Sequence, residues 1–197
     1  RAPFIRSAIV SLLASLLIIL VGGLVIHKIS DRIIRKIQEG RRRFKSIFDH
    51  ADVAIWNTDM SQVRAELYRL RQDGVVDLHQ YLHDNEQLAC ELIAKVRIFD
   101  INQATLTLFG AASRNDFISQ IDKTFGPDAI EVFIDELCAI WDKKTHFQSE
   151  VSFYRLDGEM IDAIVSFQIP EHESEFKSIP VTIVDITERK RAERVMQ

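Results

Sequence analysis

The 197-residue sequence has few of the residues that build disulfide frameworks or reactive centres. It contains two cysteines, Cys90 and Cys138, whereas small secreted domains usually carry several at framework spacings. It also lacks a nucleophile elbow, a glycine-rich phosphate loop, the catalytic-histidine box of a kinase and the Gly-Gly-Asp/Glu-Glu-Phe segment of a diguanylate cyclase. We therefore expect two reduced thiols without a redox role and no enzymatic activity in this segment.

The basic residues are concentrated near the start of the chain. Residues 1–45 hold ten of the 25 basic residues but only two of the 29 acidic ones. The rest of the chain therefore carries 15 basic and 27 acidic residues, a net charge of −12. Because an acidic surface without a basic stripe repels phosphate, we expect no nucleic acid among the partners of this protein.

A long apolar run precedes the basic cluster. From Ser7 to Ile26 there are 20 residues without a charge, enough for a helix to cross a hydrocarbon core of about 30 Å. Eight basic residues follow the run and only Arg1 and Arg6 precede it, so the positive-inside rule places the C-terminal side in the cytoplasm. We predict a transmembrane helix with a short flank over residues 1–27 and the lipid bilayer as a partner.

Apolar residues continue at helical spacing beyond this span, which predicts a basic juxtamembrane helix over residues 28–47. Their steps of three and four describe a coiled-coil seam with one stutter, formed by Ile26, Ile29, Ile33, Ile37, Gly40, Phe44 and Ile47. Small residues also share one face of the apolar run, at Ser7, Ser11, Ser15 and Gly22. We expect a homodimer that forms through the transmembrane and juxtamembrane helices.

Apolar periodicity after residue 48 predicts an α+β domain with helices on one face of an antiparallel sheet. Helix starts are indicated by the cap residues Asn102 and Ser113 and by Pro127, and an Asp157-Gly158 turn predicts a hairpin. Three short helices are expected within residues 60–95. The predicted strands cover residues 52–59, 96–101, 147–156, 160–169 and 179–186.

Three segments of this domain resemble the PAS family. They are the tail VDITERKRAE from Val184 to Glu193, the RLDG hairpin from Arg155 to Gly158, and the Asn102-Gln103-Ala104 helix start with its following Leu108-Phe109-Gly110. The resemblance covers about residues 44–193. It implies a PAS-like five-stranded antiparallel sheet with helices on one face over residues 48–187, followed by the start of an output linker helix over residues 188–197.

The chain departs from the ordinary PAS pattern between the first two strands, where most members have a tight hairpin. Here residues 60–95 form a helical insertion, and this variant resembles those of membrane sensor kinases. The resemblance implies a sensor domain on the cytoplasmic side of a bacterial inner membrane, with a histidine kinase as the downstream output domain in the same chain. Alternatives are the sensor part of a diguanylate cyclase or phosphodiesterase, and a membrane-tethered small-ligand-binding module.

The cofactors of the PAS family have recognisable ligands, and this sequence lacks them. The flavin-binding subfamily uses a cysteine within an Asn-Cys-Arg-Phe stretch, which is absent. Haem-binding members use a histidine on the long helix, and residues 127–142 contain none. We therefore expect no cofactor.

The junction between the last strand and the exit helix is the predicted signal-transfer site. Thr187 is a suitable N-cap, Glu188 favours the positive helix start, and Arg189 is placed to pair with Asp185. Such contacts would couple the position of the strand to the direction of the helix. The alternative is an ordinary strand-to-helix junction.

Apolar side chains are expected between the sheet and the helices, where they either line a ligand pocket or fill the core. The candidates for the pocket lining are Phe99, Leu108, Phe125, Phe133, Leu137, Phe153 and Val165. A second candidate site is the pair His79 and His83, which are four residues apart near Asp84, a spacing that could bind a metal. Because no third ligand has suitable spacing, we expect solvated histidines and no metal.

Overall fold

The computed structural model describes residues 27, 28 and 30–196. Its contacts divide the chain into two compact units, Arg1–Ile47 and Phe48–Gln197. The α-helices are α1 (30–49), α2 (Ser61–Gln72), α3 (Leu78–Asp84), α4 (Glu86–Ile93), α5 (Gln103–Phe109), α6 (Arg114–Gln120), α7 (Ala129–Trp141) and α8 (Thr187–Val195). The strands are β1 (Ala54–Asp59), β2 (Arg97–Ile101), β3 (His146–Tyr154), β4 (Met160–Gln168) and β5 (Ile179–Asp185).

Helix α1 contains the described part of the predicted juxtamembrane helix. Its apolar residues Ile33, Ile37 and Ile47 are 52%, 65% and 66% exposed. Among the described residues, no helix is both long enough and apolar enough to cross a membrane. The predicted transmembrane helix, at residues 7–26, lies outside the described residues, as do the first two positions of the predicted coiled-coil seam.

The five strands form one antiparallel sheet with the order β2-β1-β5-β4-β3. Strands β3 and β4 pair over their whole length, from His146 opposite Gln168 to Tyr154 opposite Met160. Gly158 closes their turn with a φ of 90°, a backbone conformation that glycine adopts without a steric penalty. The predicted α+β fold and its hairpin are therefore confirmed.

The region between β1 and β2 is helical, as the apolar spacing predicted. Helices α2, α3 and α4 bury residues at three- and four-residue steps, including Val63, Leu67 and Leu70 of α2. The caps of the next two helices follow the sequence as well. The Asn102 side chain accepts a hydrogen bond from the Thr105 amide at 3.1 Å, and the Ser113 hydroxyl accepts one from Asp116 at 3.2 Å.

The core lies between the inner face of the sheet and the helices. Its centre is an aromatic cluster in which ring centroids are 5.1 to 5.7 Å apart, formed by Trp56, Phe109, Phe117 and Phe153. A 3-10 turn, Glu173–Lys177, adds the fully buried Phe176 from a segment that the sequence predicts as a polar loop. Apolar spacing could not predict this contact, because the turn contributes a single apolar side chain.

Candidate functional site

A cavity of about 660 Å³ lies inside the domain between the sheet and helices α4, α6 and α7. The sheet contributes side chains from all five strands, and the helices contribute mainly aliphatic and aromatic groups. Four polar or charged side chains also border the cavity: Thr58, Arg97, Asp122 and Glu136, of which Arg97 and Asp122 are exposed. Such a volume and such an apolar lining are typical of small-molecule sites.

Four of the predicted lining residues lie in the cavity wall: Phe125, Phe133, Phe153 and Val165. The other three do not, which corrects the prediction. Phe99 is 40% exposed because side chains alternate along a strand, and its neighbour Ile98 borders the cavity. Leu137 is fully buried in the core, and Leu108 packs against the core from α5 rather than lining the cavity.

Helix α7 brings one carboxyl group into this apolar wall. Ile130, Phe133 and Glu136 follow one another at three-residue steps and all border the cavity. Glu136 is half-buried, and part of its surface faces the cavity. Within the described part of the chain, nothing forms a hydrogen bond or an ion pair with it. Burial therefore raises the pKa of Glu136 to about 8.

Sequence reasoning missed Glu136. The sequence has two ionisable residues between Phe133 and Leu137, Asp135 and Glu136, and does not indicate which of them faces the sheet. The same pattern is common where a glutamate reaches past an apolar face into solvent. Only the packing of α7 on the sheet places the group inside a cavity.

The segment before α7 is anchored to strand β3 next to the cavity. The Gly126 amide donates a hydrogen bond to the Ser152 carbonyl at 3.1 Å, and the Ser152 amide donates to the Asp128 carboxylate at 3.0 and 3.1 Å. Helix α7 consequently begins at Ala129, with Asp128 as its N-cap, rather than at Pro127. These contacts hold Phe125 and Phe153 side by side in the wall.

The exit junction differs from its predicted chemistry. Thr187 is the first residue of α8 and not its N-cap. Instead, the Asp185 carboxylate accepts a hydrogen bond from the Thr187 amide at 2.8 Å. The Thr187 hydroxyl accepts one from the backbone amide of Asp162, in strand β4, at 3.0 Å. The prediction is therefore corrected: the N-cap is Ile186, the Asp185 carboxylate accepts a hydrogen bond from the first helical amide, and Thr187 attaches the helix to the neighbouring strand.

The predicted ion pair between Arg189 and Asp185 is also wrong. Arg189 lies 3.0 Å from the carboxylate of Glu150 on β3, because the first turn of α8 directs it toward that strand. Asp185 instead faces Arg155, at 3.9 Å. Glu188 pairs with Arg191 within α8, at 2.9 Å.

Asp162 is the centre of the exit junction, and sequence reasoning missed it. Its carbonyl accepts a hydrogen bond from Ile186 at 2.8 Å, and its carboxylate lies 3.3 Å from Lys190 and 3.4 Å from Arg194. Lys190 also lies 2.9 Å from Glu150, whose hydrogen bond raises the pKa of Lys190. The first turns of α8 are thus attached to both strands of the β3-β4 hairpin.

The histidine pair on α3 has a third neighbour that the sequence did not indicate. Glu131 on α7 lies 3.4 Å from His83 and 3.7 Å from His79, measured from Oε1 to each Nε2. The three potential ligand atoms lie within 4.8 Å of one another. Glu131 is 48 residues from His83 in the sequence, so its position depends on the packing of α3 against α7.

The described cysteines are both free thiols. Cys90 is exposed and borders the cavity. Cys138 is half-buried, and burial raises the pKa of its thiol to about 11. Because the thiolate is the reactive species, Cys138 is a poor nucleophile at neutral pH.

These features define an α+β domain that has a cavity between its sheet and helices and carries an exit helix on the β3-β4 hairpin at one edge of the sheet. A model of the family described as PAS domain matches residues 87–188, which are 102 of the 197 residues. The chain therefore belongs to the PAS domain family. Strand β1 and helices α2 and α3 precede the matched region.

Solved structures of PAS domains are similar to this chain. A PAS domain of a Colwellia psychrerythraea protein is 18% identical, with 78% of this chain and 99% of that chain covered and a TM-score of 0.46. A domain of a sensory box sensor histidine kinase/response regulator from Geobacter sulfurreducens is 12% identical, with coverages of 74% and 95% and a TM-score of 0.44. Neither similarity identifies a ligand or an output. No curated protein matches the chain significantly.

Proposed function

We propose that this chain is the sensing and signal-transmitting part of a membrane-anchored bacterial sensor histidine kinase. In this proposal the domain detects a small molecule in its cavity on the cytoplasmic side of the inner membrane. Helix α8 then passes the signal to a kinase core further along the same chain, and the segment itself has no enzymatic activity. The observation that carries the proposal is that the cavity wall and the attachment of α8 share one β-hairpin.

The cavity supports the detection step. Its lining is apolar apart from a few groups, and its volume is within the range of about 300 to 1,000 Å³ found for ligand sites. Glu136 is the half-buried carboxyl group of this wall and would orient a ligand that carries an apolar body and one hydrogen-bonding group. An apolar site with one such group combines hydrophobic affinity with specificity.

The hairpin supports the transmission step. Val151 and Phe153 of β3 and Val165 of β4 border the cavity. On the same two strands, Glu150 and Asp162 hold the first turns of α8. A ligand that displaces these cavity residues would therefore shift the atoms to which α8 is attached. Because exposed ion pairs contribute about 0 to 1 kcal/mol each, modest ligand energy can change the attachment.

The charge pattern supports the membrane anchor. Eight basic residues follow the uncharged run at residues 7–26, while the remaining domain is acidic, as expected for a segment on the cytoplasmic side. The exposed isoleucines of α1 offer a seam for a second copy. A homodimer would bring the exit helices of two chains together.

The proposal is tested by filling the cavity in the full-length protein. Val165→Phe adds volume at the wall, and Val184→Phe on the adjacent strand β5 is the matched control, because Val184 is 39% exposed and does not border the cavity. Autophosphorylation is measured in membrane vesicles. We expect Val165→Phe to change basal autophosphorylation several-fold and Val184→Phe to leave it unchanged.

Two outcomes would contradict the proposal. Equal autophosphorylation in both variants and the parent would show that the cavity does not influence the kinase output. A downstream sequence without a phosphoacceptor histidine helix would exclude the kinase and favour the diguanylate cyclase or phosphodiesterase alternative. Ligand binding with no change at α8 would instead favour a membrane-tethered ligand-binding module.

A further inference from the structure

Two helices bring three metal-ligating side chains together on the surface of the domain. His79 and His83 occupy positions i and i+4 of α3, so they lie on one face, and their ring centroids are 4.5 Å apart. Glu131 projects toward them from the first turn of α7. The side chains of these residues are 39% to 54% exposed, so an ion in solution can reach all three.

The distances differ from those of direct hydrogen bonds. Both imidazole Nε2 atoms face the same oxygen, Oε1 of Glu131, at 3.4 and 3.7 Å, whereas N–H···O hydrogen bonds are about 2.7 to 3.2 Å long. In a tetrahedral zinc site the ligand atoms lie about 2.0 to 2.2 Å from the metal, and neighbouring ligand atoms are therefore about 3.3 to 3.6 Å apart. The observed spacing is close to that between neighbouring zinc ligands.

We propose that His79, His83 and Glu131 form a binding site for a divalent transition metal ion, for which Zn²⁺ is the best fit. Two imidazole nitrogens and one carboxylate oxygen form a donor set that suits zinc, cobalt, nickel or copper, whereas calcium and magnesium prefer oxygen ligands alone. Three protein ligands leave a fourth tetrahedral position for water. The net charge of −12 beyond residue 45 favours cations near this surface.

The position of the site gives the metal a structural consequence. Helix α3 belongs to the insertion between β1 and β2, and α7 carries the cavity residues Ile130, Phe133 and Glu136. Glu131 is adjacent to Ile130 in the sequence. A bound ion would therefore join the insertion to the helix that lines the cavity, and would restrict the movement of α7 relative to α3.

The site is tested with the whole 197-residue chain in detergent micelles, without an affinity tag and freed of metal with a chelator. Zn²⁺ is titrated by calorimetry, and Co²⁺ is added separately as a spectroscopic probe. We expect one Zn²⁺ per chain with micromolar or tighter affinity. Cobalt should give the strong visible absorption of a four-coordinate site.

Three single variants identify the ligands, and a fourth serves as the matched control. His79→Ala, His83→Ala and Glu131→Gln should each weaken Zn²⁺ binding by at least about tenfold. His172→Ala removes an exposed histidine outside the cluster and should leave binding unchanged. Circular dichroism checks that each variant is folded, which is expected because all four side chains are at the surface.

Three results would overturn the site. The first is the absence of stoichiometric Zn²⁺ binding at about 100 μM metal. The second is an equal loss of Zn²⁺ affinity in His172→Ala and in the cluster variants. That result would mean that surface histidines bind zinc nonspecifically and not at one defined site. The third is unchanged Zn²⁺ affinity in Glu131→Gln, which would show that α7 supplies no ligand to the metal.

Discussion

At the scale of single residues, Glu136 has the least favourable environment for its charge. Glu136 is half-buried and has no hydrogen-bond or ion-pair partner among the described residues, so burial favours the neutral form and raises its pKa to about 8. A glutamate in the unfolded chain has a pKa near 4.5. Between these two values the folded state holds a proton that the unfolded state has lost, and stability therefore decreases as the pH rises.

The first prediction concerns this pH dependence. Glu136→Gln removes the ionisable group, so the variant should lack the loss of stability that the parent shows between pH 5 and pH 8. Through this group, the free energy of unfolding of the parent falls by at most about 1.4 kcal/mol per pH unit. Urea unfolding of residues 44–197 at several pH values measures it. Glu173→Gln, at an exposed site, is the control; profiles of the same shape for the parent and Glu136→Gln would refute the prediction.

Gly126 is constrained by a close approach of two backbone segments. A Cβ atom at this position would lie 2.2 Å from the Ser152 carbonyl oxygen, too close for any side chain. The second prediction is that Gly126→Ala pushes the start of α7 away from β3 and destabilises the domain by about 1 to 3 kcal/mol. Thermal unfolding of the whole chain in detergent measures the loss.

Gly40→Ala is the control for Gly126→Ala. A Cβ atom at residue 40 meets nothing within 4 Å, and the residue lies in the other compact unit. The melting temperature of the PAS domain should therefore not fall in this variant. If Gly126→Ala melts at the parent temperature, the approach of the two backbones does not constrain residue 126.

At the scale of secondary-structure elements, helix α8 is held to the domain by hydrogen bonds and ion pairs rather than by apolar packing, since Thr187 is its one buried residue. The first turn is anchored by one hydrogen bond from the Thr187 amide to the Asp185 carboxylate and by two between the Thr187 hydroxyl and the backbone of Asp162. Each contact contributes about 1 kcal/mol, whereas domains are stable by about 5 to 15 kcal/mol. The helix can therefore detach while the sheet stays folded.

The third prediction follows from this balance. Asp185→Ala or Thr187→Ala should lower the stability of the isolated domain by about 1 kcal/mol each and leave it folded. In the full-length protein both should fix the output high or low, because α8 loses its direction relative to the sheet. The melting temperature of the domain is compared with stimulus-dependent phosphorylation.

Glu193→Ala is the control for the exit junction. Glu193 pairs only with Arg189 of the same helix, at 3.9 Å, among the contacts of the described residues. It should therefore change neither stability nor output appreciably. If the two junction variants unfold the domain, or if they respond to stimulus as the parent does, the junction is ordinary structure.

Elements whose structure depends on neighbouring residues were predicted well. The helices of the insertion, the Asn102 and Ser113 caps and the β3-β4 hairpin all follow from spacing and cap chemistry within a few residues. The junction was predicted only in its location. Sequence proximity suggested that Thr187 caps the helix and that Arg189 pairs with Asp185, but their partners are on β4 and β3.

At the scale of the whole molecule, the seam on α1 predicts how two copies meet. Ile33 and Ile37 lie four residues apart on one helix face and are more than half exposed. In a parallel coiled coil these positions would face the same positions of a second chain. This dimer belongs to the proposed function and is open to direct test.

The fourth prediction is that a cysteine at position 37 crosslinks two copies in the membrane. In a background with Cys90→Ser and Cys138→Ser, Ile37→Cys should form a disulfide-linked dimer under mild oxidation. Glu39→Cys, two residues away and therefore on a different helix face, should crosslink much less. Non-reducing gel electrophoresis measures both. Equal crosslinking at the two positions would contradict the predicted seam.

The sequence by itself determined the strands, the helical character of residues 60–95, the starts of α5 and α6 and the α+β class, because hydrophobic periodicity and cap chemistry act over a few residues. It left open whether the space between sheet and helices is a pocket or a filled core, and four of the seven residues proposed for a pocket lie in the wall of the cavity. Tertiary structure alone decided which groups meet across the fold: Asp162 with Thr187, Glu150 with Lys190, and Glu131 with two histidines. These partners are 25 to 52 residues apart, and only the packing of elements sets the distance between them. For the same reason Glu136, which resembles any glutamate on an amphipathic helix, became a buried acid only when α7 packed onto the sheet.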